Sequence, residues 1–168
     1  MSSKRDDPRY FTKVTRMPKT SAALLLFRRG ESLEVLIAHM GGPFWARKDA
    51  GAWSIPKGEY TDEEPLHAAL REFEEEMGSA PPAGPAIPLG TVKQSGGKSV
   101  TTFAVEGDFD LAGFHSNTFE LEWPRGSGRV QEFPEVDRAE WVTVEVAREK
   151  LVKGQVPVLD ALREHLTR

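Results

Sequence analysis

The sequence contains no cysteine, which excludes disulfides and thiolate-held zinc or iron–sulfur centres. A reducing compartment fits that absence. Long hydrophobic runs are missing too. The longest, Ala22–Phe27, falls far short of the roughly 20 residues that a bilayer span needs, so no transmembrane helix and no membrane partner is expected. Positive charge is not in excess: 22 Lys and Arg stand against 26 Asp and Glu, a formal net charge of −4. That balance leaves no electrostatic footprint for nucleic-acid binding, and no sequence-specific nucleic-acid partner is expected. Any phosphate chemistry must come from a local site. The opening "MSSKRDDPRYFTKVTRMPK" lacks the apolar centre of a secretory signal, so the expected location is the cytoplasm.

What is present suits one soluble domain. The 168 residues are 39% hydrophobic and 29% charged, enough for a single sizeable core and short of two. Residues 1–17 read as a loosely held basic tail and residues 18–168 as the domain. "TSAALLLFRRGESLEVLIAHM" holds two β-rich runs, about 21–28 and 33–40, around a turn at Arg29-Gly30-Glu31. Gly-rich residues 41–53 form a long loop of the kind that is usually functional or disordered. The strongest helix covers 62–78: Thr61 and Glu64 have capping-box spacing, Pro65 sits in the first turn and Gly78 follows the last. Two β pairs come next, one around Ser95-Gly96-Gly97 and one around "PRGSG", followed by a strand "RAEWVTV" and helices at about 144–152 and 157–167. Strands, helix, strands and helices in that order predict an α+β or mixed α/β sandwich.

Within the main helix, "ALREFEEEMG" crowds four glutamates into five positions. At about 100° per residue, Glu72, Glu75 and Glu76 share an arc of roughly 100° while Glu74 falls outside it. Leu66, Ala69, Leu70, Phe73 and Met77 occupy the adjoining, core-facing arc. Ala68 is expected to keep the acidic stripe open, and Arg71 stands four residues before Glu75, close enough to orient it. Like charges beside a buried face repel, so something cationic should compensate. Oxygen-only ligands suit Mg²⁺ or Mn²⁺. A solvated acidic face is the plain alternative.

The flanking residues decide between them. "KGEYTDEEPLHAALREFEEEMGS" resembles the signature box of the Nudix hydrolases through Gly58, Glu63, Arg71, Glu72, Phe73, Glu75, Glu76 and Gly78. Only four residues separate Gly58 from Glu63 where the pattern has five, and Ser79 replaces an apolar residue. "WSIPKGE" before the box and "FPEVDRAEWVTVEVAREKL" after it extend the likeness, and the string looks most like a bacterial group of predicted nucleotide pyrophosphohydrolases in that family. The resemblance implies a Nudix α/β/α sandwich with a mixed central sheet and a catalytic loop-helix-loop. It also implies Mg²⁺- or Mn²⁺-dependent hydrolysis of a nucleoside diphosphate linked to another moiety. On this reading Glu72, Glu75 and Glu76, with the Gly58 carbonyl, hold one to three ions. The general base is Glu75, Glu76 or the extra-box Glu135, three choices that the residues leave open. Arg71 orients Glu75, and Glu63 either ties the loop to the helix or supports the metal site from behind its ligands.

Outside the box, Lys57, Arg47 and Lys48 are candidate phosphate contacts. Phe44 and Trp45 are candidates for stacking on a base, or for pinning the loop to the body. Lys98 reads as hairpin chemistry. Glu120 and Glu122, alternating along a strand, point to one face that is either solvent or a second acidic wall. His39, His67, His115 and His165 show no metal-ligand spacing and read as structural or solvated. In the family that the box resembles, a tyrosine about two turns downstream goes with dinucleoside polyphosphates and a longer array with NADH; no tyrosine follows Tyr60, so the resemblance implies neither substrate. A homodimer through the 116–132 hairpin or an exposed strand edge is a further expectation. A module that reads a nucleotide without cutting it, and an interaction protein with an acidic patch, are the alternatives; the complete Arg71-Glu72…Glu75-Glu76 set argues against the pure reader.

Overall fold

The computed structural model describes residues 19–168, so the expected tail lies outside the described residues. Strand β1 (Thr20–Arg29) runs through the middle of a seven-stranded mixed sheet. Its side chains alternate between two cores: Ala23, Leu25 and Phe27 enter one, Ala22, Leu24 and Leu26 the other. Burial on both faces explains why this strand reads as an unbroken apolar run rather than an alternating one. One edge of β1 pairs in parallel with β6 (Ser99–Glu106), which in turn pairs antiparallel with β5 (Ile87–Lys93).

The other edge of β1 is split. Near the turn, Phe27–Arg29 pair with Val35–Leu33 of β2 (Leu33–Met40). Toward the start of β1, Ser21–Ala23 pair instead with β4 (Lys57–Glu59). Strand β2 is split in the same way: β9 (Val136–Thr143) covers one edge, and the far end of the other takes β3 (Trp53–Ser54) at Ala38 and His39. The hairpin partners therefore diverge, and residues 53–59 fill the fork between them. Pairing of β3 and β4 to different strands forces the chain at Ile55 and Pro56 to cross the fork, where the Pro56 carbonyl accepts the Leu24 N–H at 3.0 Å.

Helix α1 (Pro65–Met77) covers one face of the sheet through Ala68, Ala69, Phe73 and Met77. Helices α2 (Val144–Lys150) and α3 (Val156–Leu166) cover the other through Val144, Ala147, Val158, Leu159 and Leu162. The result is the α/β/α sandwich expected. Hairpin β7 (Thr118–Glu122) and β8 (Val130–Pro134) forms a separate two-stranded sheet, as its sequence signals predict.

Two local expectations need correction. The helix begins at Pro65, not 62, and Glu64 is its N-cap in extended backbone with no side-chain cap bond. Proline at the first helical position excludes the preceding residue from helical geometry, so Thr61 and Glu64 form no capping box. Ala68 does not hold the acidic stripe open: it is fully buried beneath the sheet. At the other end Gly78 stops the helix as expected, with φ +89° and its N–H donating to the Glu74 carbonyl at 2.8 Å.

Candidate active site

The fork in the sheet opens onto a cleft of about 480 Å³. Its walls are α1, through Glu72, Glu75 and Glu76; β4, through Lys57, Gly58 and Glu59; and the chain on either side of the β7–β8 hairpin, through Asn117 and Glu135. The helix presents its carboxylates there because Phe73 and Met77, on the adjoining arc, are locked into the core. Every glutamate of the expected stripe lines this cleft, while Glu74 does not.

Arg71 organises the rim. Its Nε and Nη2 donate to Glu63, the shortest contact being 2.6 Å, and its Nη1 donates to Glu72 at 2.9 Å and Glu75 at 3.3 Å. One guanidinium thus ties the loop before α1 to two cleft carboxylates, a task suited to its planar fork of donors. The partner in the loop is Glu63 rather than the adjacent Glu64, in agreement with the shorter loop spacing.

Deeper in, the Lys57 N–H donates to Glu76 Oε2 at 3.2 Å. Desolvation pushes the Glu76 carboxyl up to about 8, with Glu72 and Glu135 adding repulsion and Lys57 opposing it. Glu72 is raised above its ordinary value, first by desolvation and then by Glu75 and Glu63, with Arg71 opposing. Glu135 is raised by desolvation, with Lys57 opposing. Three acids on two facing walls of one cleft, Glu72 and Glu76 on α1 and Glu135 at the base of the hairpin, therefore resist ionisation together.

No group of three or more acidic or histidine side chains is already gathered around a single point among the described residues. The donor chemistry still fits a hard divalent cation: the cleft offers carboxylate oxygens whose charges repel, and a cation would relieve them.

The base of the hairpin is fixed by backbone bonds. Asn117 N–H donates to the Glu75 carbonyl and Glu135 N–H to the Asn117 carbonyl, both at 2.9 Å, while Gly41 N–H donates to the Glu135 carbonyl at 2.9 Å. Buried Ser116 accepts the Val136 N–H through its Oγ at 3.0 Å. Glu135 reaches the cleft because of this clamp. Asn117 was not anticipated: it belongs to no local motif, and only the fold carries it beside α1.

The aromatic loop is placed elsewhere. Phe44, Trp45, Arg47 and Lys48 do not line the cleft. The Lys48 ammonium lies 3.7 Å from the Phe44 ring centroid, and Trp45 packs against the core of the α2–α3 face. Fully buried His39 holds this loop down, with Nε2 at 2.7 Å from the Lys48 carbonyl and Nδ1 at 2.8 Å from Asp137. Glu120 and Glu122 lie on the exposed face of β7, away from the cleft.

The family model for the NUDIX domain matches residues 17–162 of this chain. A search of curated proteins returns no match. Among solved structures, the NUDIX domain of Shewanella oneidensis NrtR complexed with ADP ribose is 18% identical, with a TM-score of 0.62 over 98% of this chain and 99% of that one. A C. elegans Ap4A hydrolase binary complex is 19% identical, with a TM-score of 0.61 over 88% and 98%. A mutT/nudix family protein from Listeria innocua is 18% identical, with a TM-score of 0.61 over 90% and 96%. At these identities the likeness is one of fold.

Proposed function

This chain belongs to the Nudix family, and from that premise we propose that it hydrolyses a nucleotide pyrophosphate bond with the help of a divalent cation, Mg²⁺ or Mn²⁺. The observation that carries the reading is the meeting of Glu72, Glu75, Glu76 and Glu135 with Lys57 and Gly58 in one cleft. Names of the structural neighbours, Ap4A hydrolase and an ADP-ribose complex, support a nucleotide ligand.

Glu72, Glu75 and Glu76, with the Gly58 carbonyl, would hold the cation or cations. Once bound, such an ion neutralises phosphate oxygens and makes a water more acidic. The chain's own residues supply the rest. Lys57 N–H steadies Glu76 Oε2. Arg71 restricts Glu72 and Glu75 to the orientation set by Glu63. The Lys57 ammonium offers a counter-charge to the phosphate chain. A carboxylate of the cleft takes the proton of the attacking water as its oxygen bonds to phosphorus and the anhydride oxygen leaves with the departing phosphate. Glu75, Glu76 and Glu135 are the candidates for that base. The loop residues Phe44, Trp45, Arg47 and Lys48 would serve only a substrate long enough to leave the cleft.

The second reading, a module that binds a nucleotide without cutting it, draws on the absence of a ready metal cluster among the described residues and on the name of the ADP-ribose-bound neighbour. One experiment separates the two. Release of phosphate or pyrophosphate is followed from nucleoside triphosphates, dinucleoside polyphosphates, ADP-ribose and nucleotide sugars with Mg²⁺, Mn²⁺ or EDTA, for the wild type and Glu76→Gln. Turnover that needs metal and is lost in the variant supports the hydrolase. Tight nucleotide binding with no turnover in any condition supports the reader.

A further inference from the structure

A second hollow, about 390 Å³, opens beside the cleft and shares Met40, Ser54 and Lys57 with it. Its far side is formed by Lys93 and Gln94 at the end of β5 and by Val152 and Gly154 in the turn between α2 and α3. Residues distant in sequence meet here because β3 is fixed to that turn: the Val152 N–H donates to the Trp53 carbonyl at 2.9 Å, and buried Gln155 accepts the Ile55 N–H at 2.8 Å and donates to Ser54 Oγ at 2.9 Å. Gly154 keeps the hollow open, since a Cβ there would meet the Gln94 side chain at 3.1 Å.

The chemistry of the lining is one-sided. Among the described residues it contains two lysines and a glutamine amide, no carboxylate and no aromatic ring. The Ser54 hydroxyl is already engaged, donating to the Ile55 carbonyl at 2.8 Å and accepting from Gln155. Among the described residues the lysines that form ion pairs, Lys19 and Lys150, lie elsewhere, and Lys57 and Lys93 form none. A surface for a base would offer a ring to stack on, whereas a set of cationic donors beside a carboxylate-lined cleft selects an anion. Lys57 stands at the junction, bordering both spaces.

We propose that this hollow is a subsite for phosphate groups beyond the two joined by the scissile bond, with Lys93 as its specificity-determining residue. The inference rests on the pyrophosphohydrolase reading and narrows it: substrates with a chain of three or more phosphates gain a contact that ADP-ribose and nucleotide sugars cannot make.

The test compares wild type, Lys93→Ala, Lys93→Arg and Gly154→Leu, in Mg²⁺, on a nucleoside triphosphate and on ADP-ribose, with calorimetric binding of inorganic tripolyphosphate and pyrophosphate as a readout independent of turnover. Lys93 is exposed, so its replacement leaves the fold intact. Expected for Lys93→Ala is a rise of about tenfold to a hundredfold in KM for the triphosphate, the scale of one lost charge-assisted hydrogen bond, with kcat and the ADP-ribose constants unchanged. Tripolyphosphate should weaken in parallel while pyrophosphate does not, Lys93→Arg should restore both, and Gly154→Leu should reproduce the loss by filling the space. Equal effects on both substrates, or none on either, would overturn the subsite. If nothing turns over but tripolyphosphate still depends on Lys93, the subsite stands and the hydrolytic reading falls; turnover indifferent to Lys93 has the opposite meaning.

Discussion

Gly58 and Glu72 occupy one volume: a Cβ on residue 58 would fall 1.9 Å from Glu72 Cδ and 2.0 Å from its Oε2. Gly58 does not have a positive φ, so glycine is required here by the neighbouring carboxylate and not by the backbone. The glycine of the box and the glutamate that follows Arg71 are thus one steric unit.

Gly58→Ala therefore acts on the site more than on the fold. The obstructing atoms are the end of a flexible side chain, which can swing away, so the melting temperature should change little. Glu72 would have to leave its place beside Arg71, and metal-dependent activity should fall by about a hundredfold, the cost typical of a displaced catalytic group. Parallel melting and rate measurements check this; loss of fold without loss of specific activity in the remaining folded fraction would contradict it.

Arg71→Lys should separate orientation from charge. Arg71 and Glu63 are both well exposed, at 38% each, so solvent screens the ion pair and it adds little to stability. A lysine keeps the charge and cannot bridge three carboxylates at once. The expected outcome is near-normal denaturation with at least a tenfold drop in kcat/KM, as expected when positioning alone is lost.

Stability of the metal-free chain should fall as pH rises through the range in which Glu76 is raised. Between its ordinary 4.5 and about 8, the folded chain keeps a proton that the unfolded chain has released, so raising pH favours unfolding. Glu72 and Glu135 shift in the same direction. The lowered carboxyls, among them Asp49, Glu63 and Asp160, act with the opposite sign and only below the ordinary carboxylate range. Thermal melts in EDTA should show this decline, and Glu76→Gln should flatten it. Mg²⁺ should stabilise more at higher pH and release protons on binding, readable by calorimetry in buffers of different ionisation enthalpy. A Glu76→Gln profile parallel to that of the wild type would refute the assignment.

Gln155→Leu should cost about 1–3 kcal/mol, because the buried Ile55 N–H loses its acceptor. Denaturant unfolding checks the figure. Since Gln155 also holds Ser54, between cleft and hollow, the KM for a triphosphate should rise as well.

Much of this was legible in the chain because it is local. The acidic stripe, Arg71 above Glu75 and the stop at Gly78 all follow from helical period and a left-handed glycine, which one turn of backbone decides. The central strands announced themselves through β-rich apolar runs, although only the sheet revealed why β1 is apolar on both faces. The helix start was misread at Thr61 because two local signals compete, and proline's steric demand on Glu64 outweighs capping-box spacing. Where the loop cations Arg47 and Lys48 lie was not legible in the sequence: in the fold they stand off the cleft, with Lys48 over Phe44 and its backbone held by His39. Asn117, the junction role of Lys57 and the hollow with Lys93 and Gly154 have no sequence signature at all. They depend on the divergence of β1 from β2 and on bonds between residues up to about a hundred positions apart, such as Gln155 to Ile55. Sequence by itself determined the residues that share a helical face, since the period of one element is set by its own backbone; tertiary structure alone decided what lies opposite that face, since strand pairing and core packing bring together residues that no local spacing connects.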